Sequence, residues 1–130
     1  YAITYFYNVY GPRERSGKYG TLVQIFNEQK KNGGALTVVS PGTQKRNFTH
    51  VDDIVDGLLL VGAQGTGDEF GLGSPESFSV LEVAGMFGGE VTMLPERPGN
   101  RMTAALDSSK AESLGWKASR NLAAYIQTFI

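Results

Sequence analysis

The stretch at residues 51–73, VDDIVDGLLLVGAQGTGDEFGLG, decides which of two folds this chain adopts. An apolar run precedes clustered glycines here, and the later TGDEFGLG, residues 66–73, reads T-G-x-x-x-G-x-G. Both features imitate a loop that binds a dinucleotide. Such a loop needs a strand before the glycines and a helix that begins on them, because the helix N-terminus carries the pyrophosphate. The fold therefore depends on which side of the glycines is helical.

The residues before the glycines have helical spacing. Five apolar side chains recur at i, i+3, i+4, i+7 and i+8, and we expect them to face the core: Val51, Ile54, Val55, Leu58 and Leu59. The acidic residues fall on the other side of this helix: Asp52, Asp53 and Asp56. After the glycines, Gly73 and Pro75 would break a second helix. The stretch therefore predicts a helix followed by a short strand around EFGLG, and its glycines do not form a dinucleotide site.

Composition indicates the class of protein. The chain has 130 residues, of which 41% are hydrophobic and 19% charged, as in one ordinary globular domain. Its net charge of -1 gives no sign of a nucleic-acid partner or an acidic membrane surface. It has no cysteine, which excludes disulfides and thiolate metal sites, and no apolar run near the roughly 20 residues of a membrane span. We expect a cytoplasmic protein that binds neither nucleic acid nor membrane.

The chain opens on a strand pattern, YAITYFYNVYG at residues 1–11. Both faces of this strand are largely apolar, which is typical of a strand inside a parallel sheet that is covered on both sides. The pattern predicts one strand whose sheet partners lie in polypeptide that this sequence does not contain. The alternative is an edge strand of a small sheet formed by this chain alone.

The rest of the chain alternates helices with short strands, which predicts an α/β fold. Helices are expected at residues 20–34, after a cap at Ser77 or Ser79, after Asp107 and after Ser119. Strands are expected at residues 36–39, 46–51 and 90–95. The inward faces of the first and last helices are expected to consist of Leu22, Val23, Phe26 and Lys30, and of Leu122, Ala123, Ile126 and Phe129.

Residues able to do chemistry are few. His50 is the only histidine, so no site with several histidine ligands can form, and no Tyr-x-x-x-Lys occurs. We interpret HVDD as a strand-end histidine beside helix-starting aspartates, with a metal cluster as the alternative. Six cationic side chains stand in predicted loops: Arg13, Arg15, Lys45, Arg46, Arg97 and Arg101. They suit a pyrophosphate, which guanidinium groups grip in bidentate fashion; solvated surface charge is the alternative.

Three motifs occur in an order that is similar to one enzyme family. They are YFYNVYGPRE, then GTQKRNFTHVDDIVDGLLL, then ERPGNRMTAALDSSKAESLGW. Together they resemble the extended short-chain dehydrogenase/reductases of the NAD-dependent epimerase/dehydratase family, most of all UDP-glucose 4-epimerase (UDP-galactose 4-epimerase). The resemblance implies that residues 1–130 are the single substrate-binding, C-terminal part of a Rossmann-type enzyme. It also implies one leftover parallel strand of a Rossmann sheet and an absent N-terminal NAD-binding domain.

The resemblance implies roles for eight residues. Asn8, Arg46 and Arg97 would bind the diphosphate of the substrate, and Asn100 would lie near its ribose. Tyr7 would stand beside the nicotinamide of the cofactor. The matching strand, whose backbone and side chains would line the uracil pocket, consists of Thr37, Val38 and Val39.

The sequence also departs from the family pattern. Asn47 and Asn100 stand where aspartates are usual, and Gly71 stands where asparagine is usual. The glycine loop that binds NAD and the Tyr-x-x-x-Lys pair would both lie upstream of Tyr1. In complete enzymes that tyrosine is the acid/base, while hydride passes to and from the nicotinamide.

The expected function is therefore that of the UDP-sugar-binding half of a truncated sugar-nucleotide epimerase. This half is expected to be inactive alone, to bind no NAD by itself, and to form a homodimer or self-associate through the exposed first strand. A related dehydratase, decarboxylase or reductase would share these motifs. Two further classes remain: a non-catalytic nucleotide-sugar binding module, and an interaction or structural domain without a ligand.

Overall fold

The structure is a computed structural model that describes residues 1–15, 20–98, 103–104 and 106–130. The helices in this part of the chain are α1 (Leu22–Lys31), α2 (Val51–Gln64), α3 (Val80–Phe87), α4 (Ser109–Glu112) and α5 (Leu122–Gln127). The strands are β1 (Ala2–Tyr5), β2 (Val9–Tyr10), β3 (Leu36–Val39), β4 (Lys45–Asn47), β5 (Thr49–His50), β6 (Gly67–Gly71), β7 (Ser77–Ser79), β8 (Val91–Leu94) and β9 (Thr103–Ala104). The expected α/β fold is confirmed.

The strands form small sheets in which most pairs are parallel. Strand β1 pairs with β6, β2 with β5, and β3 with β8, all in parallel. The remaining sheet has the order β7-β4-β9, with β4 antiparallel to β7 and parallel to β9. These pairings set the helices on either side of the short strands.

The first segment is not one strand without partners. It is divided into β1 and β2 by Asn8, whose φ of 50° lies in the left-handed region and changes the direction of the chain. Strand β1 then finds a partner in β6, so two parallel strands stand where one leftover strand was expected. The predicted strand at 46–51 also divides, into β4 and β5, and helix α2 already begins at Val51.

The glycine-rich stretch behaves as its periodicity predicts. Helix α2 ends at Gln64, Gly65 follows, and β6 begins at Gly67, so the order is helix, glycines, strand. A dinucleotide loop needs the reverse order, and its rejection is confirmed. Gly71 has a separate reason to be glycine, since a Cβ there would lie 2.3 Å from the carbonyl oxygen of Asp107. This contact explains why the asparagine of the resembling family would not fit here.

Two apolar clusters form the core. The larger joins α1, β3, α3 and α5, where the rings of Phe26 and Phe87 meet edge to face with centroids 5.9 Å apart. The smaller joins α2, β6 and α4 around Phe70, Leu72 and Trp116. No helix in the described ranges has the length and apolar character needed to cross a membrane.

Helix ends follow the sequence signals closely. Ser79 and Glu82 form a reciprocal capping box at the start of α3, which settles the choice between Ser77 and Ser79. Asp107 accepts hydrogen bonds from the N–H and hydroxyl of Ser109 at the start of α4. In α5 the expected inward face is only partly correct, because Ala123 is exposed while Leu122 and Ile126 are buried.

The predicted orientation of α2 is wrong on its acidic side. Asp53 is 1% exposed, whereas Val55, Leu58 and Leu59 are 45%, 39% and 68% exposed. The reason is the segment at 116–120, which docks on the acidic side of the helix. Asp53 accepts hydrogen bonds from the N–H and hydroxyl of Ser119, and from the N–H and Nη1 of Arg120. Four donors thus replace water around one carboxylate.

We expect the Asp53→Ala variant to lose about 2–4 kcal/mol of the free energy of unfolding, because the backbone N–H groups of Ser119 and Arg120 and the Ser119 hydroxyl lose their acceptor. Urea denaturation measures this loss. The control is Asp56→Ala, whose exposed carboxylate also contacts Arg120, at 3.4 Å, and which should cost less than about 1 kcal/mol. Equal losses in the two variants would contradict the role given to Asp53.

We expect the Gly71→Ala variant to lose about 1–3 kcal/mol, because its methyl group would press on the backbone of Asp107. The matched control is Gly62→Ala in α2, where a Cβ would meet nothing within 4 Å. That change should stabilise the protein by about 0.5–1 kcal/mol through helix propensity. A thermal or chemical unfolding series compares both, and a neutral Gly71→Ala would argue against the close approach.

Candidate functional site

A cavity of about 310 Å³ opens beside β3 and beneath α1. The lining side chains come from six separate segments: Asn8, Leu22, Ile25, Thr37, Val39, Gln44, Arg46, Phe48, Val80, Leu94 and Arg97. Five of these are among the residues predicted to bind substrate: Asn8, Thr37, Val39, Arg46 and Arg97. Residues distant in the sequence thus meet at one concave surface.

One side of the cavity is cationic and polar. Arg46 is half-buried in β4, where its Nη1 donates to the carbonyl of Lys45 at 2.7 Å. Arg97 follows β8, and Asn8 occupies the bend between β1 and β2. The position of Asn8 is fixed by its backbone, because its carbonyl accepts from the N–H of Thr49 at 3.3 Å. Two guanidinium groups and an amide that line one cavity can bind an anion with several oxygens.

The rest of the cavity lining is mainly apolar. It consists of Leu22 and Ile25 from α1, with Phe48, Val80 and Leu94. A lining that combines apolar side chains with two guanidinium groups suits a ligand with a flat, poorly hydrated part and an anionic part.

Two glutamines that the sequence analysis did not single out hold the β3 side of the cavity. Gln29 on α1 accepts from the N–H of Thr37 at 3.1 Å and donates to the Thr37 hydroxyl at 2.8 Å. The Nε2 of Gln44 donates to the carbonyl of Val39 at 3.0 Å, and its buried Oε1 has no partner among the described residues. A signal for Gln44 was present, because its i, i+2 spacing to Arg46 places both on one face of an extended chain.

Some predicted residues lie elsewhere. The side chain of Val38 is 0% exposed in the larger core cluster, because successive side chains of β3 alternate between the core and the cavity. The backbone N–H and carbonyl of Val38 point toward β8, as those of Leu36 and Ser40 do, so neither its side chain nor its backbone faces the cavity. Tyr7 is 54% exposed and lines a different hollow, with Tyr5 and Asp68. Asn100 and Arg101 fall outside the described residues.

The remaining loop cations do not line the cavity. Of the described members of the predicted set, Arg46 and Arg97 contribute to it, while Arg13, Arg15 and Lys45 do not. The cavity thus includes two of these cations, of which Arg46 lies in β4, and charge alone did not identify which ones.

His50 has a structural position. It ends β5 and caps α2, where its Nδ1 accepts from the N–H of Asp52 at 3.0 Å. Its ring packs edge-on against Tyr10 and Tyr125. The described residues contain no cluster of three potential metal ligands, and the interpretation of HVDD as a strand end and helix start is confirmed.

The hollow beside β1 is acidic. The hydroxyl of Tyr5 hydrogen-bonds to Asp68, and this bond and the backbone N–H of Glu69 lower the pKa of the Asp68 carboxyl below its ordinary value. The same hydrogen bond raises the pKa of Tyr5. Asp68 therefore stays ionised and Tyr5 stays protonated at neutral pH, which makes this hollow unsuited to a diphosphate.

Known sequences identify the family. A sequence profile described as the NAD dependent epimerase/dehydratase family matches residues 1–73. The chain belongs to this family. Among curated members, UDP-glucuronic acid decarboxylase 3 of Arabidopsis thaliana is 38% identical over 119 residues. The match covers 85% of this chain and 34% of the decarboxylase. UDP-glucose 4-epimerase of Mycolicibacterium smegmatis is 33% identical over 118 residues, and the match covers 85% of this chain and 38% of that epimerase.

A solved structure of the epimerase/dehydratase family has the same fold. UDP-glucose 4-epimerase from Thermotoga maritima, determined with UDP-glucose, superposes with a TM-score of 0.90 and 27% sequence identity. The match covers 98% of this chain and 43% of that one. The chain thus spans about a third of the length of the curated relatives named above and less than half of the solved enzyme. The resemblance to extended short-chain dehydrogenase/reductases is confirmed.

Proposed function

We propose that residues 1–130 form the UDP-sugar-binding domain of a nucleotide-sugar epimerase of the UDP-glucose 4-epimerase type. The observation that carries the proposal is the convergence of Asn8, Thr37, Val39, Arg46 and Arg97 on one cavity. These residues come from separate segments, and the family motifs imply a nucleotide-sugar role for each. The match to an epimerase that was solved with UDP-glucose supports the same assignment.

The proposed ligand lies with its diphosphate against Arg46 and Arg97. Guanidinium groups suit this task because each offers paired donors to phosphate oxygens. The amide of Asn8 adds a neutral donor, held in place by the bend between β1 and β2. The base then points toward the apolar wall and the edge of β3, where Thr37 and Val39 meet it.

The sugar and the cofactor extend beyond this cavity. We assign Asn100 to the ribose and Tyr7 to the nicotinamide side of the site. In the family, bound NAD accepts and returns a hydride. The chain has no Tyr-x-x-x-Lys pair, and the glycine-rich stretch at residues 66–73 forms strand β6 where a dinucleotide loop would begin a helix. We therefore propose that the chain neither binds NAD nor turns over substrate by itself. Its proposed compartment is the cytoplasm.

A second candidate is a UDP-glucuronic acid decarboxylase. The observation that favours it is the 38% identity to a plant decarboxylase, against 33% for a curated epimerase. Both candidates bind the same UDP part of the ligand, so they differ at the sugar. A chain that binds UDP-glucuronic acid about tenfold more tightly than UDP-glucose would favour the decarboxylase.

We also propose that the chain self-associates as a homodimer through its first strand. Strand β1 is one edge of a two-stranded sheet, and large apolar side chains beside it are exposed: Tyr1, Ile3, Tyr5, Phe6 and Tyr7. An open strand edge flanked by exposed aromatic rings favours pairing with a second chain.

We expect the Arg46→Ala variant to bind UDP about 1.5–3 kcal/mol more weakly, the value of a hydrogen bond to a charged group. Isothermal titration calorimetry with UDP measures the difference. The control is Lys45→Ala, which removes the same charge from the neighbouring residue outside the cavity and should change the affinity by less than about 1 kcal/mol. Equal UDP affinity in wild type and Arg46→Ala would reject the diphosphate role.

We expect the Ile3→Lys variant to be monomeric at concentrations where the wild type associates, because a charge beside the strand edge opposes pairing. Sedimentation velocity over a concentration series measures this. Leu59→Lys is the control, since it makes the same change at an exposed apolar side chain that lies on α2 and outside strand β1. A wild type that stays monomeric at high concentration, or an association that only Leu59→Lys disrupts, would contradict the assignment to β1.

A further inference from the structure

The segment at residues 73–76, which lies between β6 and β7, is held by side chains from elsewhere in the chain. The Nδ2 of Asn47 donates to the carbonyl of Ser74, at 2.6 Å, and to that of Glu76, at 3.3 Å. The hydroxyl oxygen of Thr49 accepts from the N–H of Ser74 at 2.8 Å. These three bonds fasten the segment to the end of β4 and the start of β5.

The same two residues adjoin the bend between β1 and β2. The backbone N–H of Thr49 donates to the carbonyl of Asn8 at 3.3 Å. Asn47 and Asn8 both line a small hollow of about 10 Å³, to which Tyr7 and Gly73 also contribute. A hollow of this size holds at most about one water molecule, so the bend, the end of β4 and the segment at 73–76 meet there with little free space.

Strand β4 connects this contact to the cavity. Successive side chains of a strand point to opposite faces, so Arg46 faces the cavity while Asn47, the next residue, points toward Ser74. A displacement of the end of β4 would therefore move Arg46, and a displacement of the bend would move Asn8. Both residues line the cavity, and both are assigned to the diphosphate.

We propose that Asn47 and Thr49 are positioning residues of the diphosphate site, which hold Asn8 and Arg46 in place by clamping the segment at 73–76 against the bend. The proposal rests on the proposed function, which assigns Asn8 and Arg46 to a diphosphate. Asn47 must donate hydrogen bonds and Thr49 must accept one, because their partners in the segment are two carbonyls and one N–H.

This requirement gives a reason for the asparagine at position 47, where aspartate is usual in the family. An aspartate has nearly the same shape, but its ionised carboxylate has no hydrogen to donate. In place of Asn47 it would face the carbonyl oxygens of Ser74 and Glu76, which would lose their donor and meet a negative charge. The segment at 73–76, as it is placed in this chain, therefore requires an amide.

The experiment compares Asn47→Asp and Asn47→Leu with the wild type in the complete chain. Calorimetry measures the affinity for UDP and inorganic pyrophosphate, and an NMR titration measures that for uridine. At about pH 7.5 we expect each variant to bind UDP and pyrophosphate about tenfold more weakly, because both lack the amide donor. Uridine affinity should stay within about twofold of the wild type, since uridine has no diphosphate for Asn8 and Arg46 to hold.

The pH dependence distinguishes a hydrogen-bond donor from a side chain that only fills space. Lowering the pH to about 5 should restore much of the pyrophosphate affinity of Asn47→Asp, because a protonated carboxyl group can donate to one of the carbonyls. Asn47→Leu cannot recover in this way. The wild type and Asn47→Leu, measured at each pH, correct for titration of the ligand and of the ionisable or charged residues on the segments that meet here: Tyr7, Lys45, Arg46, His50, Glu76 and Asp107.

A matched pair of variants tests Thr49. Thr49→Val removes the hydroxyl that accepts from Ser74, whereas Thr49→Ser keeps it. We expect Thr49→Val to bind pyrophosphate about fivefold more weakly and Thr49→Ser to stay within about twofold of the wild type. Asn32→Leu is the control, because Asn32 is exposed at the end of α1 and outside the cavity, and this variant should bind all three ligands like the wild type. Thermal unfolding of every variant shows that binding is measured on folded protein.

Four outcomes would overturn the proposal. Unchanged pyrophosphate affinity in Asn47→Leu and Thr49→Val rejects it and leaves the proposed function standing. A loss in Asn47→Asp alone rejects it as well, because the added charge and not the missing donor would then account for the loss. An equal loss for uridine and pyrophosphate rejects it because the two residues would then serve only the fold. A wild type that binds neither UDP nor pyrophosphate rejects the proposed function and this inference together.

Discussion

The carboxylate of Asp53 lies inside the molecule, and its hydrogen bonds hold the segment before α5 in place. Removing a carboxylate from water costs several kcal/mol unless donors replace the solvent, and four donors from Ser119 and Arg120 do so. The indole N–H of Trp116 also donates a hydrogen bond to the backbone carbonyl of Asp53. Helix α2 is thereby joined to the segment that leads from α4 into α5.

The position of the cavity follows from this attachment. Helix α2 starts directly at the end of β5, and β5 pairs with β2, so a fixed α2 also fixes the segment after the bend at Asn8. Asn8 is further held by the Thr49 N–H, one residue before the cap of α2. Strand β4, which carries Arg46, precedes β5 and is held between β7 and β9. The ligand-facing side chains are thus carried by backbone that the sheets and α2 position.

Local signals in the sequence were enough for most elements. Helical spacing placed α1, α2 and α3, glycines marked their ends, and the cap of α3 was expected at Ser77 or Ser79, of which the structure uses Ser79. Those signals depend on neighbours in the sequence. The face of α2 did not follow from them, because the residues that bury Asp53 arrive from 116–120 and periodicity carries no information about a distant partner. The break at Asn8 was missed for a similar reason, since a left-handed residue inside an apolar run leaves the alternation almost unchanged.

Some residues of the candidate site could likewise be predicted from the sequence, and others could not. Motif order alone pointed to Asn8, Thr37, Val39, Arg46 and Arg97, and the structure brings these five to one cavity. Alternation along β3 explains why Val38 turns into the core while its two neighbours face the cavity. Gln29 could not be identified from sequence, because its contact with Thr37 depends on how α1 packs against β3.

The sheet pairings also govern how the chain reaches its native state. Every described strand pair joins segments that are far apart along the chain, and even the closest of the paired residues, Asn47 and Ser77, are separated by the whole of α2 and β6. Long loops must therefore close before any sheet forms, which makes the entropic barrier high and folding slow compared with a helical bundle of equal size. Helices can form early, but β1 must wait for β6. In that interval both edges of β1 are unpaired and can bond to other chains, so the yield of folded protein depends on how quickly this pair closes.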